Sequence, residues 1–404
     1  MHILLIHQAF VALDEPGGTR HHELARYLAS QGHQVTIIAS PISYLTGQAR
    51  STSIPWCEKE TDGELITILR VYTYPSLHRS FAFRVISFFS FMVSSFLIGL
   101  GVKKVDLVWG TSPPIFQGVT AWALARIKNA PFLFEVRDLW PAFAVAVGVL
   151  KNPLLIKLSE WLERFLYRRA DQMVVNSPGF ISHVTDRGAA HVNLVPNGTD
   201  TVMFNPELDG TAFRHAHGLN AKFVVLYAGA HGLSNDLGVV LQAARKLLSR
   251  KEIVFVLLGD GKDKPALQAQ AAREGLENIL FLPPIPKVDM PSALAAADAC
   301  IAILKPIEMY KTTYPNKVFD YMASGKPVVL AIDGVIRQVI DDACGGIPVQ
   351  PGNPEALSQA ILRLVDDPEL AHRLGEQAHN YVQSHFDRVI LASRLLNIML
   401  GMVA

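Results

Sequence analysis

At 404 residues, half of them hydrophobic, the chain is too long for one ordinary core, and two domains of about 200 residues each are expected. A net charge of +1 gives no bulk electrostatic case for nucleic acid, and a mean hydropathy of +0.24 is greasy for a soluble protein. Cys57, Cys300 and Cys344 have no metal or redox spacing, which favours a reducing compartment without structural disulfides.

Residues 2–7 read as a buried first strand that soon reaches polar residues, so no cleavable signal is expected. The loop Glu15-Pro-Gly-Gly-Thr-Arg20 follows, then an amphipathic helix over 22–29 and a second strand over 32–38. This is a βαβ unit with a glycine loop at the carboxyl end of its first strand. Gly17 and Gly18 would let backbone approach a diphosphate that Arg20 neutralises; the alternative is a plain surface turn. His21 and His22 are expected in solvent.

Residues 85–102 form an uncharged, Phe-rich run of minimal membrane-spanning length, flanked by Arg79, Arg84, Lys103 and Lys104. Five interruptions by Ser or Gly, with βα repeats on both sides, argue against a span. The run reads as a helix partly in the core and partly against an anionic membrane surface, or else as a fully buried one. A strand over 131–136 ends in Arg137-Asp138-Leu-Trp-Pro141, and a charged pair at a strand's carboxyl end is where α/β sheets place chemistry. Asp138 would otherwise cap a helix starting near Leu139. The helix over 156–169 reads as scaffold.

The alternation repeats in the second half. A strand over 223–228 leads into Gly229-Ala-His231, and one over 253–258 into Gly259-Asp-Gly261. Neither completes a P-loop or a dinucleotide fingerprint. A strand over 279–282 runs into Pro283-Pro-Ile-Pro286, and one over 299–304 ends at Lys305. The stretch Pro315-Asn-Lys-Val-Phe-Asp-Tyr-Met-Ala-Ser-Gly-Lys-Pro327 reads as a short helix stopped by Gly325 and Pro327. Asn316 and Lys317 at its start suit an anion, and Asp320 one turn on suits hydroxyl groups. An ordinary helix–strand unit is the other reading.

That stretch resembles the "E-A-M-A-x-G-x-P-V" segment of retaining glycosyltransferases of the GT-B fold, a group that includes glycogen synthase-like enzymes. The bacterial O-antigen and capsule type, similar to fucosamine transferases, is the nearest subgroup. "V-R-D-L-W-P" at 136–141 and "P-N-G-T-D" at 196–200 resemble the same family. Two departures stand out. Thr312 and Asp320 occupy the Glu positions of the E-x7-E motif, and Ala230 and Asp236 occupy those of a phosphate-binding Arg and Lys.

The resemblance implies two Rossmann-like domains facing a cleft. The acceptor domain would span 1–200 plus a crossing helix at about 386–404, and the nucleotide-sugar domain 201–385. It implies transfer of a sugar from a nucleotide diphosphate, UDP favoured, to a lipid-linked or glycan acceptor. No metal or other cofactor is expected, because helix N-termini and cations would stabilise the leaving group. Surface-polysaccharide assembly at the inner face of the plasma membrane is the setting implied. Arg137 and Asp138 would act on the acceptor or the transferred sugar. Gly17, Gly18, Arg20, Gly229, His231, Ile285, Lys305, Asn316, Lys317 and Asp320 would hold the donor, with Ile285 at the base through backbone groups. Lys317 ranks first among the replacement cations, and Asp236 is expected to turn away. A nucleotide-sugar 2-epimerase and an inactive GT-B binding subunit remain the alternatives.

Overall fold

The computed structural model describes residues 1–43, 47–50, 53–75 and 81–403, so Arg79 lies outside the described residues. The chain divides into two compact units. The first comprises Met1–Ala12, Gly18–Pro196 and Leu391–Ala404, and the second Leu13–Gly17 and Asn197–Ile390. The division thus falls four residues before the expected one at Asp200, and the segment ending at Gly17 belongs to the second unit.

The first unit holds an eight-stranded sheet: β1 (His2–Ile6), β2 (Gln34–Ala39), β3 (Cys57–Asp62), β4 (Ile66–Val71), β5 (Leu107–Ser112), β6 (Phe132–Val136), β7 (Gln172–Val175) and β8 (Val192–Leu194). Its order is β3-β4-β2-β1-β5-β6-β7-β8, and every pairing is parallel except β3 with β4. Continuous apolar runs such as Ile3-Leu-Leu-Ile6 are buried on both faces, as a helix-covered parallel sheet requires. The β3–β4 hairpin is absent from the sequence-based reading, because Cys-Glu-Lys-Glu-Thr-Asp is a polar edge strand with no apolar alternation.

The second unit holds six parallel strands: β9 (Phe223–Ala228), β10 (Ile253–Leu258), β11 (Ile279–Leu282), β12 (Ala299–Ile303), β13 (Val328–Ala331) and β14 (Gly346–Pro348), in the order β11-β10-β9-β12-β13-β14. Its two faces pack separate cores, with Val224, Leu226 and Ala228 on one side and Val225 and Tyr227 on the other, the period-two signature of a strand.

Five helices of the first unit matter here: α1 (Arg20–Ser30), α2 (Phe81–Gly101), α3 (Phe116–Lys128), α4 (Ala142–Ala146) and α5 (Pro153–Arg169). α2 inverts the usual pattern. Ser87, Phe91, Ser94 and Ser95 face inward, whereas Phe83, Ile86, Phe89, Val93, Leu97 and Leu100 face solvent at helical spacing. Two of the inward serines are satisfied: Ser94 Oγ donates to the Tyr72 carbonyl at 2.6 Å and Ser95 Oγ to the Met92 carbonyl at 3.2 Å. A fully buried α2 is therefore excluded, with 28% of its apolar window buried. Nor is α5 plain scaffold, for Leu154, Leu158 and Trp161 stand exposed beside Lys157 and Arg164.

Candidate functional site

In open parallel sheets, ligands bind beyond the carboxyl ends of strands where the strand order reverses. In the second unit that point lies between β9 and β12, the neighbours from which the order runs outward. There Gly229 and His231 follow β9, and the helix Asn316–Ala323 begins. Pro315 stands at the N-cap position and Gly325, at φ +65°, lies just past the helix end as expected.

Lys317 reaches back over Tyr227, with Nζ 3.8 Å from the ring centroid. Its ammonium is buried and has no hydrogen-bond partner among the described residues, and burial lowers its pKa to about 7. A Cβ on Gly229 would come within 2.5 Å of that nitrogen, so only glycine leaves the approach open. His231 is fully buried, and neither ring nitrogen has a partner. Burial, then the charges of Lys264 and Lys317, lower its pKa to about 4, so the ring is neutral at pH 7. Asn316 Oδ1 is likewise buried and unpartnered.

Backbone from the next loop holds this loop in place. A Cβ on Gly259 would meet the Gly229 carbonyl oxygen at 1.9 Å, and one on Gly261 the His231 oxygen at 2.4 Å. Both glycines sit at positive φ, +142° and +159°. The His231 amide donates to the Asp260 carbonyl at 2.8 Å, and the His231 carbonyl accepts from the Asp263 amide at 2.9 Å.

Other expected donor residues lie differently. Asp320 is buried, accepting from Lys287 Nζ at 2.6 Å on one oxygen and from Thr199 Oγ1 at 2.8 Å on the other. It was expected to accept ligand hydroxyls, and both oxygens are instead engaged within the unit. The reason is Lys287, itself buried over the Phe204 ring at 4.6 Å, whose charge needs a counter-ion. Lys305 and Asp236 are half-buried near each other. Burial raises the Asp236 carboxyl while the Lys305 charge opposes it. Ile285 packs half-buried against the core. Gly17 and Gly18 are exposed, with open space around a Cβ at Gly18.

In the first unit the reversal lies between β1 and β5, and a second cluster sits at those strand ends. Arg20, expected to neutralise a diphosphate, is instead buried. Its Nε donates to Glu135 Oε1 at 2.9 Å, and its other nitrogens to the Pro196 and Val195 carbonyls at 2.7 and 2.8 Å. Glu135 is wholly buried and also accepts from His21 Nε2 at 2.6 Å. Burial alone would raise this carboxyl, but the His21 hydrogen bond and the Arg20 charge more than reverse it, so it is ionised. His21 and His22 are buried rather than solvated, because Glu135 and Asp62 claim them.

Arg137 donates to Thr111 Oγ1 at 2.9 Å and to His7 Nε2 at 2.9 Å. Asp138 leaves Oδ1 buried and unpartnered, and burial pushes its carboxyl up to about 6 against the pull of Arg137. It caps no helix, since α4 starts at Ala142 with Pro141 at its N-cap position. The structure thus brings Arg137 together with His7 and Glu135, which sequence reasoning passed over, and with His21, which it read as solvated. The missed signal was the lone carboxylate in Phe-Leu-Phe-Glu-Val, which demands a buried cation.

Comparison with known proteins agrees with this architecture. The family model for glycosyl transferases group 1 matches residues 222–367, and that for the glycosyl transferase 4-like domain matches 17–198. WcaI of Escherichia coli K12, designated a colanic acid biosynthesis glycosyl transferase, is 24% identical over 94% of this chain and 95% of its own length. A D-inositol 3-phosphate glycosyltransferase of Streptomyces griseus is 30% identical over 65% of this chain and 57% of its own. Among solved structures, sucrose-phosphate synthase of Thermosynechococcus elongatus superposes with a TM-score of 0.77 at 19% identity, covering 99% of this chain and 98% of that one. HepE of Anabaena, solved with UDP-glucose, gives 0.71 at 17% identity over 99% and 100%. At such identities the structural likeness shows the fold, two parallel-sheet α/β domains of the GT-B type. The two family matches add a sequence likeness to glycosyl transferases in each of the two units.

Proposed function

We propose that the protein is a metal-independent, retaining glycosyltransferase of bacterial surface-polysaccharide assembly. Its donor is a nucleotide diphosphate sugar, with UDP favoured, and its acceptor is lipid-linked or a glycan. The observation that carries the donor half is the buried, unpartnered Lys317 ammonium, set beside the neutral His231 ring and the free N–H groups of a helix start. An uncompensated buried cation is costly, and a diphosphate is the ligand class that would repay it. The same cation and helix end would stabilise the leaving diphosphate in place of a metal. HepE, solved with UDP-glucose, and WcaI, designated for colanic acid biosynthesis, support the donor and the setting by likeness. Asp320 fits a supporting part, fixing the helix through Lys287 and Thr199.

The setting proposed is peripheral attachment at the inner face of the plasma membrane. Support comes from the outward apolar stripe of α2 with Arg84, Lys103 and Lys104 near its ends, and from exposed Leu154, Leu158 and Trp161 on α5 among Lys157, Arg164 and Arg168. Phe89→Ser with Leu97→Ser should abolish sedimentation with anionic vesicles and leave the melting temperature unchanged. Equal binding by that variant would discard the α2 contact.

The functional test is a panel of nucleotide sugars offered with and without membrane extract, following nucleotide release. Release that depends on extract and is lost in Lys317→Ala is expected. A product still bearing its nucleotide would favour the 2-epimerase, and binding without turnover the inactive subunit.

A further inference from the structure

His7 lies one residue beyond β1, 1% exposed, with its Nε2 2.9 Å from an Arg137 nitrogen. A guanidinium donates and never accepts, so that Nε2 presents a lone pair. Burial first, with the positive charges of Arg137 and Arg70 adding to it, keeps the ring neutral. Its single proton is therefore on Nδ1, and Nδ1 is buried without a partner.

His21, also 1% exposed, has the opposite assignment. Its Nε2, 2.6 Å from ionised Glu135, must carry the proton. Burial lowers its pKa to about 4 despite Glu135, so at pH 7 its Nδ1 is a bare lone pair, and this nitrogen too has no partner. The two ring centroids are 4.3 Å apart. Arg137 and Glu135 thus fix two neighbouring imidazoles in opposite tautomers, one with an unmet donor and one with an unmet acceptor.

We infer that His7 and His21 form a subsite for a sugar hydroxyl, which accepts from His7 Nδ1–H and donates to His21 Nδ1. The pair's chemistry selects this class. An anion would face the His21 lone pair and the Glu135 carboxylate, and a cation would face Arg137 and Arg20. Only a neutral group that both donates and accepts satisfies the two nitrogens at once, and a hydroxyl is the smallest that a glycosyl donor or acceptor offers. The inference rests on the sugar-transfer reading for the source of the hydroxyl, not for the tautomers.

The test is two-bond ¹H–¹⁵N spectroscopy of the histidine rings in the full chain, with UDP, UDP-glucose and a panel of methyl glycosides as probes. At pH 7, His7 should report its proton on Nδ1 and His21 on Nε2. Either assignment reversed overturns the subsite. UDP alone should move His231 and leave His7 and His21 unmoved. A further shift of both rings with UDP-glucose identifies the transferred sugar as the source, and one with a methyl glycoside identifies the acceptor. If no sugar moves either ring, the pair holds only water and the subsite is refuted, whatever His231 does. Loss of the UDP response at His231 would sink the donor reading and leave this pair still decided by the methyl glycosides. In His7→Phe the His21 response to sugar should vanish while the His231 response to UDP persists.

Discussion

The two strand-end clusters differ in how they handle buried charge. In the first unit the cation Arg20 meets the anion Glu135 at 2.9 Å, and beside them the Nδ1 atoms of His7 and His21 are left over on neutral rings. In the second unit the cation Lys317 lies over the face of Tyr227, and among the described residues no carboxylate is paired with it. One cluster is complete in charge and short of a dipolar partner. The other is short of an anion. Two sheets with the same strand-order reversal therefore present different chemistry, suited to a hydroxyl and to a phosphate respectively.

The sharpest way to break this contrast is to unbalance the first cluster. Glu135→Gln would remove the buried carboxylate that Arg20 and His21 share and should cost about 3–5 kcal/mol of stability. A melting temperature equal to the parent's would mean that Arg20 is not held as described.

The same operation in the second cluster should do the reverse. Lys317→Ala removes an unpaired buried ammonium, so the fold should be as stable or more so, while affinity for UDP-glucose falls by about 1.5–3 kcal/mol. Calorimetry would separate the two effects; a large loss of stability with donor affinity intact would invert the comparison.

Asp138 supplies a milder test. With its carboxyl raised to about 6 by burial, the ionised form destabilises the fold, and stability should increase as pH falls from about 6 toward the unfolded value. Turnover should decline over the same interval if the carboxylate engages the sugar. Asp138→Asn should abolish that limb and lower turnover by about tenfold, with the melting temperature within a few degrees of the parent. An unchanged pH–rate profile would remove Asp138 from the site.

The smallest expected effect is the pH dependence of donor binding. In the free protein Lys317 titrates near 7, depressed by burial, so above that pH the diphosphate must bring a proton with it. Affinity for UDP-glucose should weaken by up to about tenfold per pH unit above 7, with measurable proton uptake on binding. No such proton uptake should appear in Lys317→Ala.

Much of the second cluster was legible in the sequence, because the rules that found it are local. β9, β10 and β11 span the residues expected from their apolar runs, and Gly229, His231 and Lys317 follow from the rule that ligands meet strand ends and helix starts. The role of Asp320 was not legible, since its partner Lys287 lies 33 residues away in a stretch with no periodic signal. The first cluster was hidden for the same reason at larger scale. His21 and Arg20 meet Glu135 across 114 and 115 residues, and a histidine's solvation cannot be judged before its partner is known. The β3 strand was missed because its polar sequence lacks the alternation that marks a half-buried edge.

The stacking of Gly259 and Gly261 against the backbone of Gly229 and His231 bears on the heat of binding. A loop held by its neighbour's main chain has little conformational freedom left to lose when a ligand arrives. Donor association should then carry a small configurational penalty and a mainly enthalpic signature. Gly259→Ala, which touches no ligand, should convert that signature to one opposed by entropy, because the loop would have to be ordered anew at each encounter.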